Sequence, residues 1–410
     1  MTPPTQQDRS RVLVNLTWLV PGVVGGSEES TTDALRALAA DCPADLEIHL
    51  AVLRPFINAH PDLVQAFTYH VLDVDGRNKF LRVLAEQSWL ARLAQKIDAQ
   101  VVHHAGGVVP LRHPGRIVLT IHDLQPLDMA QNFSLAKRLY LRAMLGRSAD
   151  AAAVICVPSE FTLSRVVELL GVEQERIRVV PWCLWPRSVS LLDDSPLADS
   201  PLADSPLADS SVAEVQHPSQ ILSQLGNDCQ YFVYPAVTYA HKNHLLLIEA
   251  FATLVPNNPN LRLVLTGSAG PLEPQVQHRI DQLGLSELVL RTHRIPAAEL
   301  KALITHALAV VVPSMYEGFG LPALEAMSLG CLVLGSNQGS LPEVLRPEDL
   351  VAGQDLTAWA EAMQAVVVLT DSERAERIAA GLDRAAAFTP HRTARALCES
   401  YRAALVARPI

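Results

Sequence analysis

Two glutamates, Glu317 and Glu325, stand with seven residues between them in the run Ser314-Met-Tyr-Glu-Gly-Phe-Gly-Leu-Pro-Ala-Leu-Glu. Just upstream, Leu308 to Val312 is a continuous apolar run of the kind that forms a parallel strand buried on both faces. Pro322 suits the first turn of a helix, where its missing N–H is not needed, and Gly330 suits a helix end. A helix is therefore expected over about Leu321 to Leu329, with Glu325 in its first turn. The backbone N–H groups of Gly318, Phe319, Gly320 and Leu321 would then gather at the positive end of the helix dipole, where an anionic phosphate or a hydroxyl can be held. A carboxylate that merely complements the dipole would explain Glu325 but leave the rest of the loop without a reason.

Other residues could join this chemistry. Lys242, in the run Ala236-Val-Thr-Tyr-Ala-His-Lys-Asn-His, lies between a strand and the helix expected from about Asn243 to Leu254. A lysine fixed at a helix start can stabilise the charge that develops on a departing phosphate, with no metal. The alternative is a solvated surface lysine, and for His241 and His244 a structural and a functional role are evenly balanced. Thr120-Ile-His-Asp-Leu-Gln sits at the C-terminal end of a strand, where open α/β sheets bind ligands. His122 could orient a hydroxyl or share a proton there, with Asp123 fixing the imidazole. Gly25-Gly26 could let the backbone approach a ligand or adopt positive φ, although a lone Gly-Gly is a weak signal. His103-His104 do not by themselves make a metal site, so a structural or acceptor-side role is expected for them.

These residues hang on an alternation of strands and helices. Arg11 to Thr17, Ile48 to Leu53, Val101-Val102, Ile117 to Ile121, Val154 to Val157 and Ile177 to Val180 are strand candidates with helical patterns between them. The pattern starts again at Tyr231 to Tyr234, Leu261 to Gly267, Val289-Leu290, Leu308 to Val312 and Leu332 to Gly335. Two Rossmann-like α/β domains follow, as a chain of 410 residues also suggests. Between them Asp194-Ser-Pro-Leu-Ala recurs from Asp199 and Asp204. Proline at every fifth position forbids a helix or a paired strand, which makes this a solvated linker with no catalytic role. The boundaries read as 1–186, a linker 187–226, 227–389, and a last helix 390–410 with Ala394, Leu397, Tyr401 and Leu405 at helical spacing.

The stretch Glu317-Gly-Phe-Gly-Leu-Pro-Ala-Leu-Glu325 resembles the retaining glycosyltransferases of family 4, with likeness over nearly the whole chain outside the repeat and strongest from Val311 to Leu345. The resemblance implies a GT-B fold, with two Rossmann-like domains facing across a cleft and a C-terminal helix crossing back to the first. It implies a hexose moved from a nucleotide sugar to a glycan or lipid-linked acceptor hydroxyl, with the anomeric configuration retained and no metal or cofactor. By this likeness Glu317 contacts the sugar, Glu325 the ribose, and His122 the reacting centre. Lys242, Asn243 and the backbone of Gly318 to Leu321 take the donor diphosphate, which Gly25-Gly26 also approach. The leaving phosphate itself helps to deprotonate the acceptor, and domain closure excludes water. His241 stands where the family commonly has arginine; this His-Lys-Asn-His form resembles a subset that elongates bacterial surface polysaccharides and leans to GDP-mannose. Ser27-Glu28-Glu29 departs from the commoner pattern, which leaves the acceptor open. Two other readings are a catalytically silent GT-B partner protein that binds nucleotide sugar, and a nucleotide-sugar epimerase, which would lack the glutamate loop.

Composition narrows the partners. A net charge of −10 argues against nucleic acid. No uncharged apolar run reaches the ~18 residues of a membrane span, and the polar N-terminus has no secretion signal pattern, so a cytoplasmic location is expected. The six cysteines form no CxxC pair and read as reduced thiols. Two basic amphipathic segments, Arg77 to Lys96 and Phe133 to Arg147, would suit a peripheral membrane contact or a lipid-diphosphate acceptor. An ordinary core helix with a basic exterior is the simpler reading of both.

Overall fold

The structure, a computed structural model, describes residues 9–23, 25–74, 76, 78–106, 108–129, 135–186, 218–225 and 229–407. The described residues fall into two units, the first within Met1–Pro158, Thr162–Ala213 and Thr389–Ile410, the second within Ser159–Phe161 and Glu214–Phe388.

In the first unit, strands β1 (Ser10–Asn15), β2 (Leu46–Leu53), β3 (Thr68–Leu72), β4 (Val101–His104), β5 (Arg116–Thr120), β6 (Val154–Val157) and β7 (Ile177–Val179) form one sheet. Its order is β3-β2-β1-β4-β5-β6-β7, and every pairing is parallel. Side chains alternate between the faces. Val12 and Val14 point into a core shared with the first helix, Gly26–Ala40, and the last, Pro390–Val406, while Leu13 points into a second core with Leu90, Leu93 and Val102.

That last helix begins at Thr389, whose hydroxyl accepts from the Arg392 amide at 3.2 Å, with Pro390 at its first position. Ala394, Leu397, Tyr401 and Ala404 form its buried face. It packs on Gly26–Ala40, β5 and β6, so the final segment of the chain completes the first unit.

The second unit repeats the winding. Strands β8 (Gln230–Pro235), β9 (Leu261–Thr266), β10 (Val289–His293), β11 (Ala309–Val312), β12 (Val333–Ser336) and β13 (Leu350–Val351) pair in parallel in the order β10-β9-β8-β11-β12-β13. All four residues of β11 are buried, as an apolar run with helices on both sides of its sheet requires.

Several expectations need adjustment. The helix after the glutamate loop runs Leu321–Ser328, which puts Glu325 on its second turn rather than its first. Asn243 precedes the helix His244–Leu254 in a left-handed conformation (φ 57°) instead of opening it. The repeat lies outside the described residues, as do Arg77 and Phe133 of the basic segments. Pro218–Leu225, assigned to the linker by sequence, is a helix of the second unit packed on Ala297–His306, with Ile221 buried.

Among the described residues no helix is long and apolar enough to cross a membrane. Cys156, Cys183, Cys331 and Cys398 are buried, which pushes the first two thiols up to about 11 and the other two up to about 12. Cys42 of the first unit is exposed and Cys229 of the second partly so.

Candidate active site

In the second unit the strand order reverses between β8 and β11, the crevice where doubly wound sheets take their ligands. The loops leaving these two strands carry Lys242 and Glu317. Lys242 Nζ lies 2.6 Å from Glu317 Oε1, both side chains largely buried. Tyr234, at the end of β8, holds the two loops together from below: its hydroxyl donates to the Lys242 carbonyl at 2.8 Å and lies 3.0 Å from Ser314 Oγ. A second tie runs from the Met315 amide to the His241 carbonyl at 2.7 Å. Lysine and glutamate, 75 residues apart in sequence, are thus fixed against each other by buried hydrogen bonds.

The glutamate loop has little freedom of its own. Ser340 donates to the Glu317 carbonyl through both its amide (3.2 Å) and its hydroxyl (2.9 Å). Gly339 backs onto the same residue so closely that an added Cβ would come within 2.8 Å of the Glu317 nitrogen. Gly320 turns the chain into the helix with φ 106°, a conformation that favours glycine, and Phe319 and Leu321 are buried on either side of it. Gly318, Phe319, Gly320 and Leu321 therefore do stand at a helix N-terminus, within the loop that carries Glu317. Glu325 is partly exposed on the following turn.

Beside this pair, burial pushes the His241 imidazole down to about 4, with the Lys242 charge adding to the effect, so the ring is neutral near pH 7. His244 is buried against Tyr234 and is likewise pushed down to about 4, first by burial and then by Arg291. Asn243 Nδ2 is buried with no hydrogen-bond partner among the described residues. A polar group of that kind is costly to leave unmade and marks a place for a ligand or water.

The remaining candidates lie in the first unit. Gly25 has φ 71° and caps the helix that Gly26 opens; space around it is free, so the positive φ is what calls for glycine. Glu28 ties this loop down by accepting from the Gly22 amide at 2.8 Å. His122 Nε2 is 2.8 Å from the Ala105 carbonyl. A carbonyl only accepts, so Nε2 carries the proton and Nδ1 is left as a lone-pair acceptor, buried and without a partner. Burial pushes the ring down to about 4, and Trp18 and Trp182 flank it at 5.7 and 5.6 Å. Asp123 does not orient the imidazole: its Oδ1 accepts from the Gln125 amide at 3.1 Å, an Asx turn that shapes the loop.

His103 is structural, bridging Tyr401 Oη (2.9 Å) and Thr120 Oγ1 (2.7 Å). His104 faces the opposite side of the sheet, 3.2 Å from Asn15 Nδ2. No group of three potential metal ligands occurs among the described residues.

Comparison with known proteins agrees with this architecture. Residues 223–381 match the family model "Glycosyl transferases group 1" and residues 24–183 match "Glycosyltransferase Family 4". In solved structures, Anabaena HepE in complex with UDP and glucose superposes with a TM-score of 0.69 over 96% of this chain and 100% of that one, at 15% identity. Family models and fold agree on a GT-B glycosyltransferase.

Among curated relatives, the chain is 29% identical over 277 residues to the O-antigen chain mannosyltransferase B of Escherichia coli, 67% of each chain. It is 35% identical over 173 residues to the D-inositol 3-phosphate glycosyltransferase of Paenarthrobacter aurescens, 40% of this chain and 41% of that one. The chain thus spans about two thirds of the first relative's length and about two fifths of the second's. The parts of the candidate site that sequence reasoning missed are its supports, Tyr234, Ser314, Gly339 and Ser340. A tyrosine in a strand reads as core, and only its pairing across 80 residues with Ser314 reveals the role.

Proposed function

We propose that this protein is a retaining, metal-independent hexosyltransferase that moves mannose from GDP-mannose to a hydroxyl of a glycan or lipid-linked acceptor. The observation that carries the reading is the Lys242–Glu317 pair, held at 2.6 Å beside a helix N-terminus at the switch point of the second sheet. Before donor arrives the pair keeps both side chains extended into the crevice. A bound diphosphate competes for Lys242, which turns to the β-phosphate, while Glu317 is released to accept from sugar hydroxyls.

As the bond from the anomeric carbon to the diphosphate oxygen lengthens, negative charge grows on the phosphate. Lys242 and the amides of Gly318 to Leu321 meet it in a site poor in water, where such donors are worth most. The acceptor oxygen bonds to the same face of the sugar and its proton passes to the leaving phosphate. Glu325, Asn243, Gly25 and Gly26 hold the donor, and His122 offers its unpaired Nδ1 to a hydroxyl at the reacting centre. Mannose is favoured by the O-antigen relative. The inositol phosphate relative motivates a second acceptor class, a phosphorylated polyol.

Calorimetry of the purified protein against UDP, GDP, ADP and their common sugars, with and without EDTA, tests the reading. We expect one nucleotide sugar to bind equally with EDTA present and more weakly to Glu325→Ala. Binding of a nucleotide sugar that is never turned over would favour the silent partner protein, and failure of all of them to bind would overturn both readings. For the active donor, an NMR assignment of the product anomer decides retention, and an inverted product would overturn that part.

A further inference from the structure

We propose that Glu343 is a positioning residue for Glu317: through the turn that carries both Glu343 and Ser340, it fixes the glutamate loop to two of the places where the chain passes between the units. Its effect on transfer rests on the proposed function; the positioning itself does not.

The turn is Leu341–Val344, with Ser340 before it. Leu341 and Val344 are fully buried, and Leu341 lies so close to Gly320 that a Cβ added to that glycine would come within 2.8 Å of its Cδ2. A segment packed so closely moves as one piece. At its start Ser340 makes the two hydrogen bonds to the Glu317 carbonyl. At its end the Glu343 carboxylate accepts from the amides of Glu160 at 2.8 Å and Phe161 at 2.7 Å.

Those amides open the helix Glu160–Leu170, which has no carbonyl of its own for them, and a carboxylate suits that positive end. They belong to Ser159–Phe161, which the chain gives to the second unit between Pro158 and Thr162 of the first. The same short stretch touches the glutamate loop on either side of Glu317. Ser159 is buried, and its hydroxyl donates to the Gly318 carbonyl at 2.7 Å. The Phe161 ring meets Tyr316 edge-on at 5.3 Å.

A later passage is tied to the same turn. The chain leaves the second unit after Phe388. Arg384 donates to the carbonyls of Glu343 and Val344, the latter at 3.0 Å, and lies over the Phe388 ring at 5.3 Å. Phe388 in turn meets Phe319 edge-on at 5.6 Å. Glu343 thus joins the two passages, its carboxylate holding one and its carbonyl the other, on a turn that also grips Glu317. A carboxylate serving only as a helix cap would account for the two amides and for nothing else in this arrangement.

Hydrogen exchange read by mass spectrometry tests this on the full-length protein with no substrate present. We expect Glu343→Ala to speed exchange in residues 158–163 and 313–321 together, by about threefold or more, while β9 stays as slow as in the parent. Glu343→Gln, which keeps one of the two acceptor oxygens, should lie between. Phe388→Ala, which frees the later passage, should also speed exchange in 313–321, and Phe388→Tyr, which keeps the ring, should not. Glu361→Ala, at an exposed acid of the same unit, should match the parent. In the transfer assay Glu343→Ala should lower kcat by about tenfold, with the dissociation constant of the nucleoside diphosphate within about twofold of the parent's. Faster exchange confined to 158–163 makes Glu343 a helix cap only and overturns the proposal, as does an unchanged kcat. Should the parent transfer no sugar, the proposed function fails and the exchange measurements decide the positioning alone. Should Glu343→Ala loosen β9 as well, Phe388→Ala decides it.

Discussion

Lys242 and Glu317 depend on each other before they depend on substrate. Removing either leaves its partner's charge in a site with little water, at a cost of about 1–3 kcal/mol. Lys242→Met should therefore lose more stability in urea than Lys242→Met/Glu317→Gln, and a double-mutant cycle measures the difference. Catalysis separates them in another way. Glu317→Gln keeps the shape and hydrogen-bonding reach of the side chain, so nucleotide binding should stay within a few-fold while the transfer rate falls by about 10²–10³. Unchanged turnover in that variant would remove Glu317 from the mechanism. Gly339→Ala should act at one remove: its methyl group would press on the Glu317 backbone, lowering transfer in a protein that still folds and still binds nucleotide. Sequence alone marks Glu317, Glu325 and Lys242, because glutamates at fixed spacing around glycines and a lysine before a helix are local patterns. The contact between Lys242 and Glu317 is not local and had no signature.

The elements divide along the same line. Strands that are apolar throughout, such as Val154–Val157 and Ala309–Val312, were legible as buried parallel strands, since nothing else accounts for such runs. The edge strand Thr68–Leu72 escaped notice because its outer residues are polar and exposed, and Leu350–Val351 is too short to carry a pattern. The helix Lys79–Lys96 read as basic and amphipathic, but its inward Glu86 did not stand out. Burial holds the Glu86 carboxyl above its usual range while Asn15 Nδ2 donates to it. A raised carboxyl costs stability once the pH climbs past its ordinary value, so Glu86→Gln, which can still accept from Asn15, should raise the melting temperature at pH 8. The gain should shrink toward pH 4, and scanning calorimetry at both pH values checks it. At the last helix, Tyr401→Ala removes a fully buried ring and the partner of His103, and a loss of about 3–5 kcal/mol is expected.

Taken whole, the molecule has a first unit that is not finished until the chain is. Residues 1–186 expressed alone lack Leu397, Cys398 and Tyr401 from their core and should give a poorly dispersed NMR spectrum. Adding a peptide covering 387–407 should restore dispersion. Acid sensitivity is also collective. Burial pushes His103 and His104 down to about 3 and His122 to about 4, from 6.5 when exposed. Their contribution is complete above pH 6.5 and is withdrawn as the pH falls toward 4 and then 3, each imidazole costing on the order of 1–2 kcal/mol by pH 5. The urea midpoint should thus drop between pH 7 and pH 5, whereas these groups add nothing between pH 7 and pH 8.

The placement of the cysteines makes the chain its own instrument. With four thiols sealed in the cores, a maleimide dye has Cys42 and Cys229 to react with, one on each unit. Burial raises both of these thiols somewhat, so labelling proceeds best at mildly alkaline pH. Donor and acceptor fluorophores can be installed on the natural sequence, and energy transfer between them would follow any movement of one unit against the other as nucleotide is added.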